Sequence, residues 1–186
     1  MFIETEVTPN PDTLKFLPGQ VLLENGTANF TDPEAADNSP LAQAMFAVPS
    51  VTGVFIGYDF VTVSKNTEVE WGDLKPTILA ALMQFFSSGA PILTVTDAET
   101  NLAVEEDEAD AEIIEQIKTL IDEKVRPAVA GDGGDIIYHG FKEGVVYLEM
   151  QGACAGCPSS TITLKHGIEN LLKYYVPEVA DVRAVG

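Results

Sequence analysis

The chain has two cysteines among its 186 residues, and they stand three positions apart. They lie in Gly152-Ala153-Cys154-Ala155-Gly156-Cys157-Pro158-Ser159-Ser160. A short loop can turn both sulfurs of such a C-x-x-C pair toward one object. The thiolate is the form that binds a metal or attacks a disulfide. The residues that follow, Ser160 to Tyr175, read as a helix, so Cys154 and Cys157 fall at or just before a helix N-terminus. Exposed N–H groups and the helix dipole favour an anion there, and a thiolate is an anion. The pair is a two-thiolate site, suited to a metal or to disulfide exchange.

Composition narrows the partners. The net charge is −19, which excludes the basic face that a nucleic-acid binder needs to neutralise phosphates. An anionic membrane surface is repelled for the same reason. No apolar run reaches the ~20 residues of a spanning helix. No N-terminal stretch joins a basic region to an apolar core, so no secretory signal is expected. These features point to a reducing compartment, where two close cysteines are metal-binding or redox-active rather than a structural staple. The expected location is the bacterial cytoplasm, with the mitochondrial matrix as the alternative for a processed chain.

The charge is distributed unevenly. Residues 1–96 hold 11 acidic and 3 basic side chains, and 97–112 hold 8 acidic and no basic ones. Residues 113–186 hold 10 acidic and 7 basic. An acidic hinge therefore separates two more balanced bodies. A like-charged run repels itself and stays extended. The expected organisation is a first domain over 1–89, an acidic linker over 90–110 and a second domain over 111–186. Both domains are expected to be small and α+β in class.

In the first domain, Phe2 to Val7 alternates as a strand, with Ile3, Thr5 and Val7 on one face. Leu14-Lys15-Phe16 and Thr27 to Thr31 are further extended pieces. Ser39-Pro40 reads as an N-cap and first helical residue. Val51 to Ile56 and Phe60 to Ser64 form a hairpin. Trp71 opens a helix that Gly89 ends, with Leu74, Ile78, Ala81, Leu82 and Phe85 on its buried side. Trp71, Phe85 and Phe86 are expected in the core.

The second domain reads α-β-β-α-β, with its helices on one face of a small sheet. Ile113, Ile117, Leu120 and Ile121 stripe a helix from about Ala109 to Lys124. Arg126-Pro127 bends the chain into a short turn closed by Gly131. Asp135 to His139 and Val145 to Met150 pair through Lys142-Glu143-Gly144. The cysteine loop follows. Ile162, Leu164, Ile168, Leu171, Leu172 and Tyr175 then form the inner side of the long helix, and Val179 to Val185 is the last strand.

The neighbours of the cysteines have ordinary readings as well as functional ones. Gly152 and Gly156 let the loop bend and backbone approach the site. Pro158 begins the helix, and Ser159 or Ser160 caps it. His139 and His166 are read as packing or surface histidines rather than ligands. Asp132 and Asp135 flank Gly133-Gly134 as a turn signature. Arg126 is read as solvated.

Asp132-Gly133-Gly134-Asp135, together with Gly152-Ala153-Cys154-Ala155-Gly156-Cys157-Pro158, closely resembles the C-terminal domain of NifU, found in the Nfu family of iron–sulfur cluster carriers. Thr8-Pro9-Asn10-Pro11, Leu14-Lys15-Phe16 and Pro18-Gly19 resemble the opening of the Nfu N-terminal domain. The two matches span nearly the whole chain outside the linker. The resemblance implies a carrier and not an enzyme. It implies transient assembly of a [4Fe–4S] cluster on Cys154 and Cys157 and its delivery to apo-proteins, with a [2Fe–2S] cluster or zinc as alternative cargo. A cubane usually takes four thiolates and this chain has two. Either a homodimer shares the cluster or other ligands complete it. A shared cluster is labile, as a carrier requires. The partners are then a second copy, apo iron–sulfur clients and an upstream scaffold, and the first domain is a docking module that concentrates clients near the cluster. A dithiol oxidoreductase is the competing class, but its C-x-x-C follows the first strand of a parallel βαβ unit.

Exchange of either Cys154 or Cys157 for serine is expected to abolish both the cluster colour and the pairing of chains. Visible absorption and native mass check this, and a brown Cys154→Ser protein would overturn it.

Overall fold

The computed structural model describes residues 2–94, 108–155 and 158–185, with only the backbone described over 158–160. The chain divides into two compact units, Met1–Ala98 and Glu99–Gly186. Both mix helices with a sheet, so the fold class is α+β.

The first unit is a five-stranded antiparallel sheet in the order β1-β2-β5-β4-β3. Its strands are β1 (Glu4–Val7), β2 (Thr13–Leu17), β3 (Ala28–Phe30), β4 (Val51–Ile56) and β5 (Val61–Lys65). Helices α1 (Pro40–Phe46) and α2 (Trp71–Ser88) supply the other side of the core. Leu14 and Phe16, Val54 and Ile56, and Val61 and Val63 point inward at alternate positions against Leu41, Met45, Ile78 and Leu82. Ser39 caps α1 as its type predicts: its Oγ accepts from Ala42 N at 3.1 Å, and Pro40 follows at the first helical position.

Three expectations shift in this unit. Val7 is 90% exposed: it ends β1, an edge strand with no buried residue, and Ile3, just before the strand, is what reaches the core. Trp71 sits at the rim, half-buried, with Nε1 donating to Pro11 O at 2.9 Å. Residues 90–94, expected to begin the linker, are fastened to this unit. Ser39 Oγ donates to Ile92 O at 2.7 Å, and Thr94 donates to Asn38 O from both N (2.7 Å) and Oγ1 (3.0 Å). The acidic run of the linker lies mostly outside the described residues.

The second unit follows the expected order. A 3₁₀ turn (Glu108–Asp110) leads into α3 (Ala111–Leu120), a π-helical turn (Ile121–Val125) and α4 (Arg126–Gly131). Strands β6 (Gly134–Lys142) and β7 (Val145–Gly152) pair antiparallel; α5 (Pro158–Tyr175) then crosses to β8 (Asp181–Ala184), which lies parallel to β7. The sheet order is β6-β7-β8.

The bend expected at Pro127 is instead a widened turn. Arg126 N–H donates to Ile121 O, five residues back. Proline has no N–H and its ring crowds the carbonyl four residues before it, which the wider turn relieves. The buried stripe is Ile114, Ile117, Ile121 and Val125, rotated one position from the one expected to include Ile113 and Leu120, which pack only partly. On α5, Ile168 and Leu172 reach the core, whereas Ile162 and Tyr175 are exposed. A bulge at His139 breaks the β6–β7 register between Tyr138 and Gly140. The extra residue lets Ile136 and Tyr138 before it and Phe141 after it face the same core.

The β6–β7 turn is Glu143-Gly144, with φ of 52° and 78°. Both residues are left-handed, the type I′ geometry that suits Asn-Gly and penalises glutamate at its first position. Glu143→Asn is expected to stabilise the protein by up to about 1 kcal/mol, read as a higher urea midpoint with an unchanged slope.

Candidate metal centre

The site is built where the β6–β7 hairpin ends. Gly134 pairs with Gly152 as the last partners of the ladder. Gly152 has a φ of 66°, so the chain can turn sharply out of β7, a conformation that costs a side-chain-bearing residue about 1–2 kcal/mol. The turn is fixed by Ala153 N donating to Gly133 O and Ala155 N to Gly152 O, both at 3.1 Å. It carries Cys154 inward. Cys154 is a free thiol, 5% exposed, and belongs to the same apolar cluster as Ile136, Met150 and Ile168.

Gly134 is required there for space. A Cβ on it would stand 2.6 Å from Cys154 Sγ and 2.6 Å from Gln151 O, closer than atoms can pack. The sulfur therefore sits in a cradle that any other residue at 134 would fill.

The surroundings hold this thiol neutral. Its pKa is pushed up to about 12, first by burial and then by the negative charges of Asp132 and Asp135. This corrects the expectation of a helix end that favours the thiolate. Cys154 precedes α5 by four residues and packs into the core, and burial and the two carboxylates prevail at its position. Cys157 and Gly156, the other expected members of the loop, lie outside the described residues. Helix α5 begins at Pro158, so Ser159 and Ser160 belong to its first turn rather than preceding it as caps.

Arg126 and Asp135 form a structural pair rather than a solvated arginine and a simple turn. Asp135 is 4% exposed and accepts Arg126 Nε at 3.0 Å and Nη2 at 2.9 Å, a two-point fit. Its Oδ1 also accepts Ile136 N at 2.8 Å. The paired carboxylate holds the guanidinium pKa well above its ordinary value. The clamp ties α4 to the strand that forms the cradle. Asp132 stays exposed. His139 is buried, with Nε2 2.7 Å from Glu149 Oε2, while Gln151 Nε2 donates to the other oxygen of Glu149 at 3.0 Å. His166 is exposed on α5. Among the described residues no group of three or more His, Cys, Asp or Glu side chains is placed to hold a metal ion, and no helix is long and apolar enough to cross a membrane.

Sequence reasoning missed Thr161 and the clamp. Thr161 Oγ1 donates to Cys154 O at 3.1 Å. Only the nine-residue separation of Arg126 and Asp135, across a turn, hinted at their pairing.

Fold and site together define a two-unit α+β protein whose distinctive chemistry is a thiol loop at the end of a hairpin. Residues 3–89 match the family described as "Scaffold protein Nfu/NifU N terminal", and residues 117–183 match the "NifU-like domain". The chain is 50% identical over all its 186 residues to the human protein named "NFU1 iron-sulfur cluster scaffold homolog, mitochondrial", of which it covers 72%. It is also 50% identical to the protein of the same name from Drosophila erecta, of which it covers 65%. A solution structure of a NifU-like protein from Saccharomyces cerevisiae is 31% identical with a TM-score of 0.46, over 52% of this chain and 87% of that one. The chain belongs to the Nfu/NifU family of iron–sulfur scaffold proteins.

The thiol makes stability depend on pH. Its pKa is higher in the folded state, about 12 against 9.0 for a free thiol, so the folded state holds the proton more tightly. That contribution is complete below pH 9 and is lost as pH rises toward 12. Between these limits the metal-free protein is expected to lose stability more steeply than its Cys154→Ala variant, measured as the urea midpoint at successive pH values.

Proposed function

We propose that this chain is an iron–sulfur cluster carrier, not an enzyme. It takes a labile [4Fe–4S] cluster on Cys154 and Cys157, shares it with a second copy of itself, and passes it to apo-proteins. The observation that carries the reading is the free Cys154 thiol, seated in the Gly134 cradle of a chain that belongs to the Nfu/NifU family. The relatives' shared name, iron-sulfur cluster scaffold homolog, supports the cargo.

The residues suit such a cargo. Thiolate is the ligand of iron–sulfur clusters, and the loop keeps its cysteine as a thiol rather than in a disulfide. Hydrogen bonds from Ala153 N to Gly133 O and from Ala155 N to Gly152 O hold the backbone on either side of it. Loading requires Cys154 to emerge and give up its proton against the charges of Asp132 and Asp135, the second of which is paired with Arg126. Two thiols per chain supply half of a cubane's usual four ligands, so two chains complete it. A cluster held between separable subunits leaves readily.

The first unit has its own sheet and core, which supports a separate task. We assign it client docking, which raises the local concentration of recipients. An upstream scaffold or free iron and sulfide supplies the cargo. The relatives' names speak for the mitochondrial matrix over the bacterial cytoplasm.

Anaerobic treatment of the full chain with iron and sulfide is expected to give about four irons per pair of chains and the charge-transfer absorption of a thiolate-ligated cubane. Iron analysis, native mass and Mössbauer spectra check it. One zinc per pair, or a stable monomer without iron, would overturn the reading.

A further inference from the structure

The proposed carrier has an internal conflict. Its ligand must reach cargo, yet Cys154 is 5% exposed and packed in the core. Something holds the thiol in its seat, and that restraint must yield during loading. Two of the restraints are backbone hydrogen bonds, from Ala153 N and Ala155 N. A third comes from a side chain in the first turns of α5. Thr161 Oγ1 donates its proton to Cys154 O at 3.1 Å, across seven positions of sequence. A helical threonine commonly gives that proton to a carbonyl of its own preceding turn, as Thr119 does here to Glu115 O at 2.9 Å. Thr161 gives it instead to the residue that bears the ligand. Thr161 is half-buried, so water competes poorly for the bond, yet the side chain is no part of the apolar cluster.

Resting on the carrier reading, we propose that Thr161 is a positioning residue for Cys154: its hydroxyl fixes the Cys154 carbonyl and so keeps the thiol in the Gly134 cradle, and breaking this hydrogen bond accompanies emergence of the sulfur to meet iron. The step exchanges one hydrogen bond for one to water and involves no covalent change. The threonine methyl has no part in it, so serine suffices and valine, of the same shape, does not.

The test uses the full chain. In a Cys157→Ser background Cys154 is the sole thiol, and its alkylation by iodoacetamide at fixed pH reports its emergence from the seat. Adding Thr161→Val is expected to speed alkylation about fivefold, the effect of losing one net hydrogen bond, and Thr161→Ser is expected to keep the parent rate. Amide exchange at Ala153 and Ala155 rises in the valine variant while exchange at Leu148, in the middle of β7, does not. With both cysteines present, Thr161→Val takes up iron and sulfide faster than the unaltered chain. Equal alkylation rates in all three proteins would overturn the proposal. So would a serine variant as fast as the valine one, or faster exchange at Leu148 in step with Ala153, which would make Thr161 a general prop of the fold. Should the unaltered chain take up no iron, the carrier reading fails, and the alkylation series still decides the role of Thr161.

Discussion

The Cys154 sulfur occupies the place that a side chain at position 134 would need, and the second unit is arranged around that contact. A Cβ at Gly134 would meet Sγ at 2.6 Å, so the sulfur and a bare backbone must be opposite each other. The β6–β7 ladder brings this about by pairing Gly134 with Gly152, two residues before the cysteine. The Arg126–Asp135 clamp then holds the start of β6 to α4. The bulge at His139 keeps Phe141 turned to the core that Cys154 shares. The site is therefore continuous with the hydrophobic packing and is no appendage to it.

This placement sets the chemistry. In water a thiol loses its proton within a few units of neutrality; here burial and two carboxylates keep it to about pH 12. A seated, neutral sulfur is a poor nucleophile and a poor ligand. On the proposed function that is an advantage between deliveries, because only the thiolate is readily oxidised or alkylated. On that reading ligation also costs more than finding iron, because the sulfur must leave apolar packing. A carrier benefits from such a cost, since the same packing favours the return of the cysteine when cargo departs.

The first unit obeys a different constraint. Its five strands and two helices enclose a core of their own, and residues 90–94 are strapped to it through Ser39 and Asn38. The unit thus extends at least to Thr94, further than its composition suggests.

The sequence by itself determined the class of the fold, the order of the elements and the residues with chemical potential. Hydrophobic spacing, Ser39-Pro40, Glu143-Gly144 and the C-x-x-C are local signals, and local signals survive translation into structure. Periodicity was less exact on the helices. A stripe is read to within one position, so Ile114 took the depth expected of Ile113, and Ile162 turned to solvent. Tertiary structure alone decided the environment of the cysteine. A thiol beside a helix N-terminus is favoured as an anion, but only if it stays near the surface, and the Gly134–Gly152 pairing draws Cys154 into the core instead. The same holds for Arg126, Asp135 and Thr161. Each is an ordinary surface type in sequence, and each has a hydrogen-bond partner that only the folded chain brings within 3.1 Å.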